Sequence, residues 1–207
     1  MPNKKGQASW IYSIAKPLLE RTPSLYPVEE WDSNLDIRIE ALELDELTYG
    51  DREYWLTTKA GLHLLNESLD KSHAISQEIA NATGSYWHAL MHRMEGDYNN
   101  AKYWFSDVGH HPIHAQLVNE VRAYLAAKNL SDLDHEALRA KLEVAQNSPV
   151  WNASVFADAI EIQVTLVQDS IVEEWLSGIQ GLEMKLLLQY SYEKSCGGNL
   201  LDAIGQQ

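Results

Sequence analysis

Residues 85–112 run SYWHALMHRMEGDYNNAKYWFSDVGHHP, and the reading of this stretch decides the fold. On a helical wheel Trp87, Leu90, Met91 and Met94 fall on one face, which makes that face the core side of a helix. His88, His92 and Glu95 stand at i, i+4 and i+7 and form a polar row beside it. Gly96 is suited to close the helix by taking a left-handed conformation, and Asp97 to cap the next one by accepting from its free amides. In that second helix Tyr98, Ala101, Phe105 and Val108 make the core side, while Asn100, Tyr103 and Asp107 share another stripe. The spacing therefore predicts two antiparallel helices joined by a tight turn, each with its own polar row.

Working outward, the pair resembles a tetratricopeptide hairpin, in which small residues let two helices pack closely around a Gly-Asp-Tyr turn. The residues that carry the likeness are Ala89, Gly96, Asp97, Tyr98, Ala101 and Phe105, with Pro112 at the end. It covers about one repeat. Upstream, Asp70-Lys71-Ser72-His73-Ala74 echoes Asp97-Tyr98-Asn99-Asn100-Ala101 at an offset of 27 residues (97 minus 70), short of the roughly 34 of that family. The string HxxxHRxEGDYxNAxYWF is also similar to a family of uncharacterised helical proteins, a likeness that implies a helical fold and no chemistry.

Beyond the hairpin, Pro2, Pro17, Pro23 and Pro27 break up residues 1–34, which are expected to form an irregular N-terminal arm with Trp10, Ile11 and Ile14 packed on the body. Residues 35–41 alternate apolar and polar, a strand signal, before helical spacing resumes at Leu44 and Leu47. Helix is preferred there, because a lone strand has no partner in this sequence. Further helices are predicted from Asp51 to Asn66, from Asp70 to Ala80, from Pro112 through Leu125, from a Ser131/Asp134 cap through Ala145, from Asn152 through Val167, and from Ile171 to Ser195. Gly178 and Gly181 interrupt the last of these and point to a close crossing or a kink. The expected architecture is all-α: stacked antiparallel hairpins, tetratricopeptide-like, with residues 35–207 forming a single all-helical domain.

Composition narrows the function classes. A formal net charge of −14 leaves no broad basic face for nucleic acid or an anionic membrane. No stretch approaches the roughly 20 apolar residues of a membrane span, and the first residues lack the apolar core of a secretory signal. The single cysteine, Cys196, excludes an internal disulfide and any cysteine-based zinc or iron–sulfur site, which fits a reducing cytoplasm. A P-loop, a G-x-S-x-G elbow and a G-x-G-x-x-G loop are all absent.

Chemistry then concentrates in the polar rows. Two imidazoles at i and i+4 reach one ion, and a glutamate one turn on can add a carboxylate, so His88, His92 and Glu95 are candidate ligands for a divalent metal. His73 from the preceding segment, or His110, His111 and His114 from the following one, can supply a further ligand or a supporting hydrogen bond. The HExxH glutamate of a metalloprotease is missing, since Ala89 stands in its place. The same stretch suits a small polar ligand: Arg93 offers a bidentate fork, Asn100 and Asp107 directional hydrogen bonds, and Tyr103 and Trp104 stacking surface. The expected ligand-binding set is His73, His88, His92, Arg93, Glu95, Asn100, Tyr103, Trp104, Asp107 and His111. A helical interaction module that binds a protein partner is the competing class, because stacked hairpins expose concave surfaces.

Overall fold

The structure is a computed structural model that describes residues 4–43 and 49–205. Leu44 and Leu47 lie outside the described residues. Among those described there are eleven α-helices and no strand: α1 Lys4–Glu20, α2 Ser33–Glu40, α3 Tyr49–Leu65, α4 Leu69–Ser76, α5 Ala82–Glu95, α6 Tyr98–Val108, α7 His114–Ala126, α8 Glu136–Asn147, α9 Ala153–Ile162, α10 Ser170–Cys196 and α11 Leu200–Gly205. The protein is all-helical.

The central hairpin is α5 and α6, and its ends form where the sequence places them. Asn81 opens α5 by accepting from the Thr83 and Gly84 amides, both at 3.0 Å. Gly96 closes it at φ 87°, and the Asp97 amide then reaches back to the His92 carbonyl at 2.9 Å. Asp97 caps α6 by accepting from the Asn100 amide at 3.0 Å. Ala89 and Ala101 are fully buried, as close packing of the two helices requires.

Nearly all of α5 is buried, because other helices surround it. Helices α3, α4 and α6 pack on it; α9 lies on α6, α8 on α9 and α7 on α8. Helix α10 lies along α3 and also against α7, so the packing order returns to its start. In an open solenoid each repeat touches only its neighbours. Here contacts between α3 and α10 close the helices around a common core, and the hairpin pattern does not continue as a linear stack.

Several boundaries differ from expectation. The segment 1–34 carries a 17-residue helix, α1, despite Pro17 within it. Ile11, Ile14, Ala15 and Leu18 recur at i, i+3, i+4 and i+7 and are all buried, and this amphipathic spacing outweighs the proline signal. Residues 33–40 are helical, with Asp32 accepting from the Asn34 and Leu35 amides. Helix α4 ends at Ser76, four residues before the expected Ala80. Helix α7 begins at His114 rather than Pro112, and α8 is capped by His135 rather than by Ser131 and Asp134, which belong to a separate 3₁₀ turn and loop. Helix α9 stops at Ile162 and continues as a π turn, Gln163–Val167, that ends at Gln168 in a left-handed conformation, φ 52°. In α10, a Cβ on Gly178 would meet the Tyr124 hydroxyl at 2.3 Å, so this glycine permits close crossing with α7, whereas Gly181 faces open space.

Candidate metal centre

Three histidines converge where α4, α5 and α6 meet. His88 and His92 are one turn apart on α5, and their Nε2 atoms are 2.9 Å from each other. Helix α4 brings in His73, whose ring centroid lies 4.9 Å from that of His88 and 5.4 Å from that of His92. One ring nitrogen from each of the three lies within 4.8 Å of the others. A tetrahedral zinc with nitrogen bonds of about 2.0–2.1 Å holds its imidazole nitrogens roughly 3.3 Å apart, a separation of the same order as that among these three.

The surroundings favour that use. His92 Nδ1 donates to the Glu95 carboxylate, which leaves the Nε2 lone pair facing His88. A carboxylate on the outer nitrogen of a liganding histidine fixes its tautomer and raises its basicity. Burial, followed by the neighbouring His92 and His73 rings, pushes the His88 imidazole down to about 4, so it stays neutral and able to ligate at physiological pH. Trp104 from α6 stacks on His88 at 4.2 Å between centroids and 29° between planes, and thereby holds the ring in place. The Asn100 amide donates toward His92, 3.1 Å from Nε2. His88 Nδ1 is buried with no hydrogen-bond partner among the described residues.

Glu95 is bonded to His92 and belongs with His92 and Asp97 to a second group of close ligand atoms, while His73 joins His88 and His92 in the first. Glu95 lies one turn past His92 and meets its Nδ1, while α4 brings the His73 ring to 5.4 Å from that of His92 between centroids. His88 and His92 are buried, His73 is half-buried and Glu95 is exposed, so the cluster is approached from the His73 and Glu95 side.

Other expected site residues lie elsewhere. Arg93 is fully buried and faces the core, where it pairs with Glu183 of α10 at 2.7 Å and lies over the rings of Phe105 and Phe156. Glu183 also accepts from Tyr86 at 2.7 Å and Trp151 at 2.9 Å, so this arginine ties α5 to α10 within the core. His111 is buried against Tyr86 and Tyr190 and meets the Thr83 hydroxyl at 3.1 Å. Asp107 accepts from Ser85 at 2.7 Å, clamping the open end of the hairpin. Tyr103 packs edge-on against Trp104 and is 67% exposed, so it borders the site without closing it.

A second buried polar cluster escaped the sequence reading. Asp36 of α2 receives Ser68 at 2.6 Å, His63 at 2.8 Å, Lys71 at 2.9 Å and Asn66 at 3.3 Å. It ties α2 to α3 and α4. Asp36 lies within an apparent strand pattern, and its partners are some 30 residues away, so local spacing carries no signal of it.

No family model, curated protein or solved structure matches the chain.

Proposed function

We propose that the protein binds a divalent transition-metal ion through His73, His88 and His92 and uses the remaining coordination position to hold a small polar ligand. The observation that supports this reading is the convergence of three imidazole nitrogens, two of them from buried rings, with Glu95 fixing the tautomer of His92. Imidazole donors suit zinc, copper, nickel and iron(II), and without thiolates or several carboxylates the set does not suit calcium or magnesium. Three histidines plus an open position is the donor arrangement of catalytic rather than structural zinc. When bound, such an ion acts as a Lewis acid toward a carbonyl, a phosphoryl group or a water molecule.

The ring of Trp104 and the Asn100 amide stand beside that position. Asn100 donates toward the His92 lone pair in the metal-free arrangement, and once an ion takes the lone pair the amide is free to hold a group on the ion. With one cysteine and no helix among the described residues long and apolar enough to cross a membrane, we assign the protein to a reducing cytoplasm.

The test is elemental analysis of protein purified without a histidine tag, with zinc titration calorimetry on wild type and His88→Ala/His92→Ala. The proposal expects near-stoichiometric binding in the wild type and none in the variant. Zinc binding that survives in the variant sinks it.

A further inference from the structure

A ligand of the histidine cluster meets the charges that α4, α5 and α6 carry. These helices hold three lysines and arginines between them, Lys71, Arg93 and Lys102. Each is already committed to a carboxylate. Lys71 Nζ lies 2.9 Å from Asp36 and 2.5 Å from Glu40, Arg93 Nη2 lies 2.7 Å from Glu183 in the core, and Lys102 Nζ lies 2.9 Å from Asp158. Phosphates and carboxylates are recognised by a guanidinium fork or a free ammonium, and in these three helices every such group is paired.

Carboxylates stand beside the cluster instead. Glu95 accepts from His92, and a Glu95 oxygen, an Asp97 oxygen and a His92 nitrogen all lie within 4.8 Å of one another. Counted with a divalent ion, the two acids bring the local charge to zero (two minus two). An anion therefore gains its bond to the metal but is repelled by both acids. Their exposure weakens that repulsion without reversing its sign. An uncharged donor escapes it.

Aromatic surface borders the same histidines. Trp104 is half-buried and stacks on His88 at 4.2 Å between centroids, while Tyr103, 67% exposed, meets Trp104 edge-on at 5.7 Å. The two rings lead from a buried imidazole to solvent, and a third ring gains from offset or edge-to-face contact with such a pair. Asn100 adds an amide 3.1 Å from His92 Nε2, a hydrogen-bonding group without charge.

Resting on the metal reading above, we infer that the ligand is an uncharged aromatic molecule that offers the ion one neutral nitrogen or oxygen, of the class of aromatic azoles and amides, in preference to a phosphate ester or a carboxylate. Its donor atom takes the open coordination position, and its ring packs against Tyr103 and Trp104.

The probes are phenylimidazole, imidazole and phenylphosphonate, each titrated into cobalt(II)-loaded protein and read in the visible bands of the ion. The phenyl group should make phenylimidazole bind about fivefold tighter than imidazole. Tyr103→Ala, a change at an exposed ring, should cut that gain to about twofold or less. Phenylphosphonate should bind at least about tenfold more weakly than phenylimidazole, and Asp97→Asn, which keeps a capping side chain, should narrow the gap. If no tetrahedral cobalt bands form, the metal reading falls and the ligand class falls with it. If the bands form, the ligand class alone is overturned by tighter binding of phenylphosphonate than of phenylimidazole, by no gain from the phenyl group, or by a gain that survives Tyr103→Ala in full.

Discussion

His88 and His92 face each other across one turn of α5 with their Nε2 atoms 2.9 Å apart, a spacing set by the helix and by the Trp104 ring stacked on His88. Two imidazoles so placed share one hydrogen bond at most, and His73 adds a third ring at the same point.

In the proposed site Glu95 supports His92, to which it is hydrogen-bonded. Glu95→Gln weakens the carboxylate hydrogen bond to the outer nitrogen and should lower zinc affinity by about 10- to 100-fold. The residue is exposed, so thermal stability of the metal-free protein should change by less than about 1 kcal/mol. Competition with a chromophoric chelator reads the affinity, and an unchanged Kd would show that Glu95 plays no part.

Arg93 and Glu183 form a fully buried pair. Arg93→Met leaves the Glu183 carboxylate uncompensated in the core and should cost about 3–5 kcal/mol in urea denaturation. Adding Glu183→Gln removes the charge while its carbonyl still accepts from Tyr86 and Trp151, and should recover more than half of that loss. A double variant as unstable as the single one contradicts this account of the core.

Two glycines should respond in opposite directions. A Cβ on Gly61 would stand 2.5 Å from the buried Trp87 ring, so Gly61→Ala should destabilise the fold by about 1–3 kcal/mol through overpacking. Gly181 of α10 faces open space, and Gly181→Ala should stabilise by up to about 1 kcal/mol through helix propensity. Denaturant midpoints of the two variants check the pair.

Acid should loosen the fold through its buried histidines. Burial pushes His63, His88, His111 and His114 down, His88 and His111 to about 4. The folded state thus prefers them neutral, while the unfolded chain protonates them near 6.5. The contribution of His88 and His111 is complete above pH 6.5 and is lost as pH falls from there toward 4, and that of His63 and His114 is lost in the same direction. The loss is on the order of 1 kcal/mol or more for each of His88 and His111 at the acid end. Melting temperatures that stay level across this window contradict it.

The local rules carried the hairpin well. Gly96, Asp97 and Ala101 mark a turn whose chemistry is contained within a few residues, and the i, i+4 spacing of His88 and His92 fixes their shared face on any helix. The same rules carry no sign of the Arg93–Glu183 pair, because Glu183 lies 90 residues away (183 minus 93) and a buried ion pair between distant helices has no local pattern. They also missed α1. The spacing of Ile11, Ile14, Ala15 and Leu18 was there to be read, but Pro17 suggested a break. His73 was legible as a candidate only, since nothing in the sequence shows which side of α4 meets α5.

The most direct test of the tris-histidine site is cobalt(II) substitution followed by visible absorption, on wild type, His73→Ala and His88→Ala. The account predicts intense ligand-field bands that saturate at about one equivalent in the wild type, weaken and shift in His73→Ala, and vanish in His88→Ala. Weak octahedral-type absorption in the wild type, unchanged in both variants, would contradict it and leave the three imidazoles as packing partners at a helix junction.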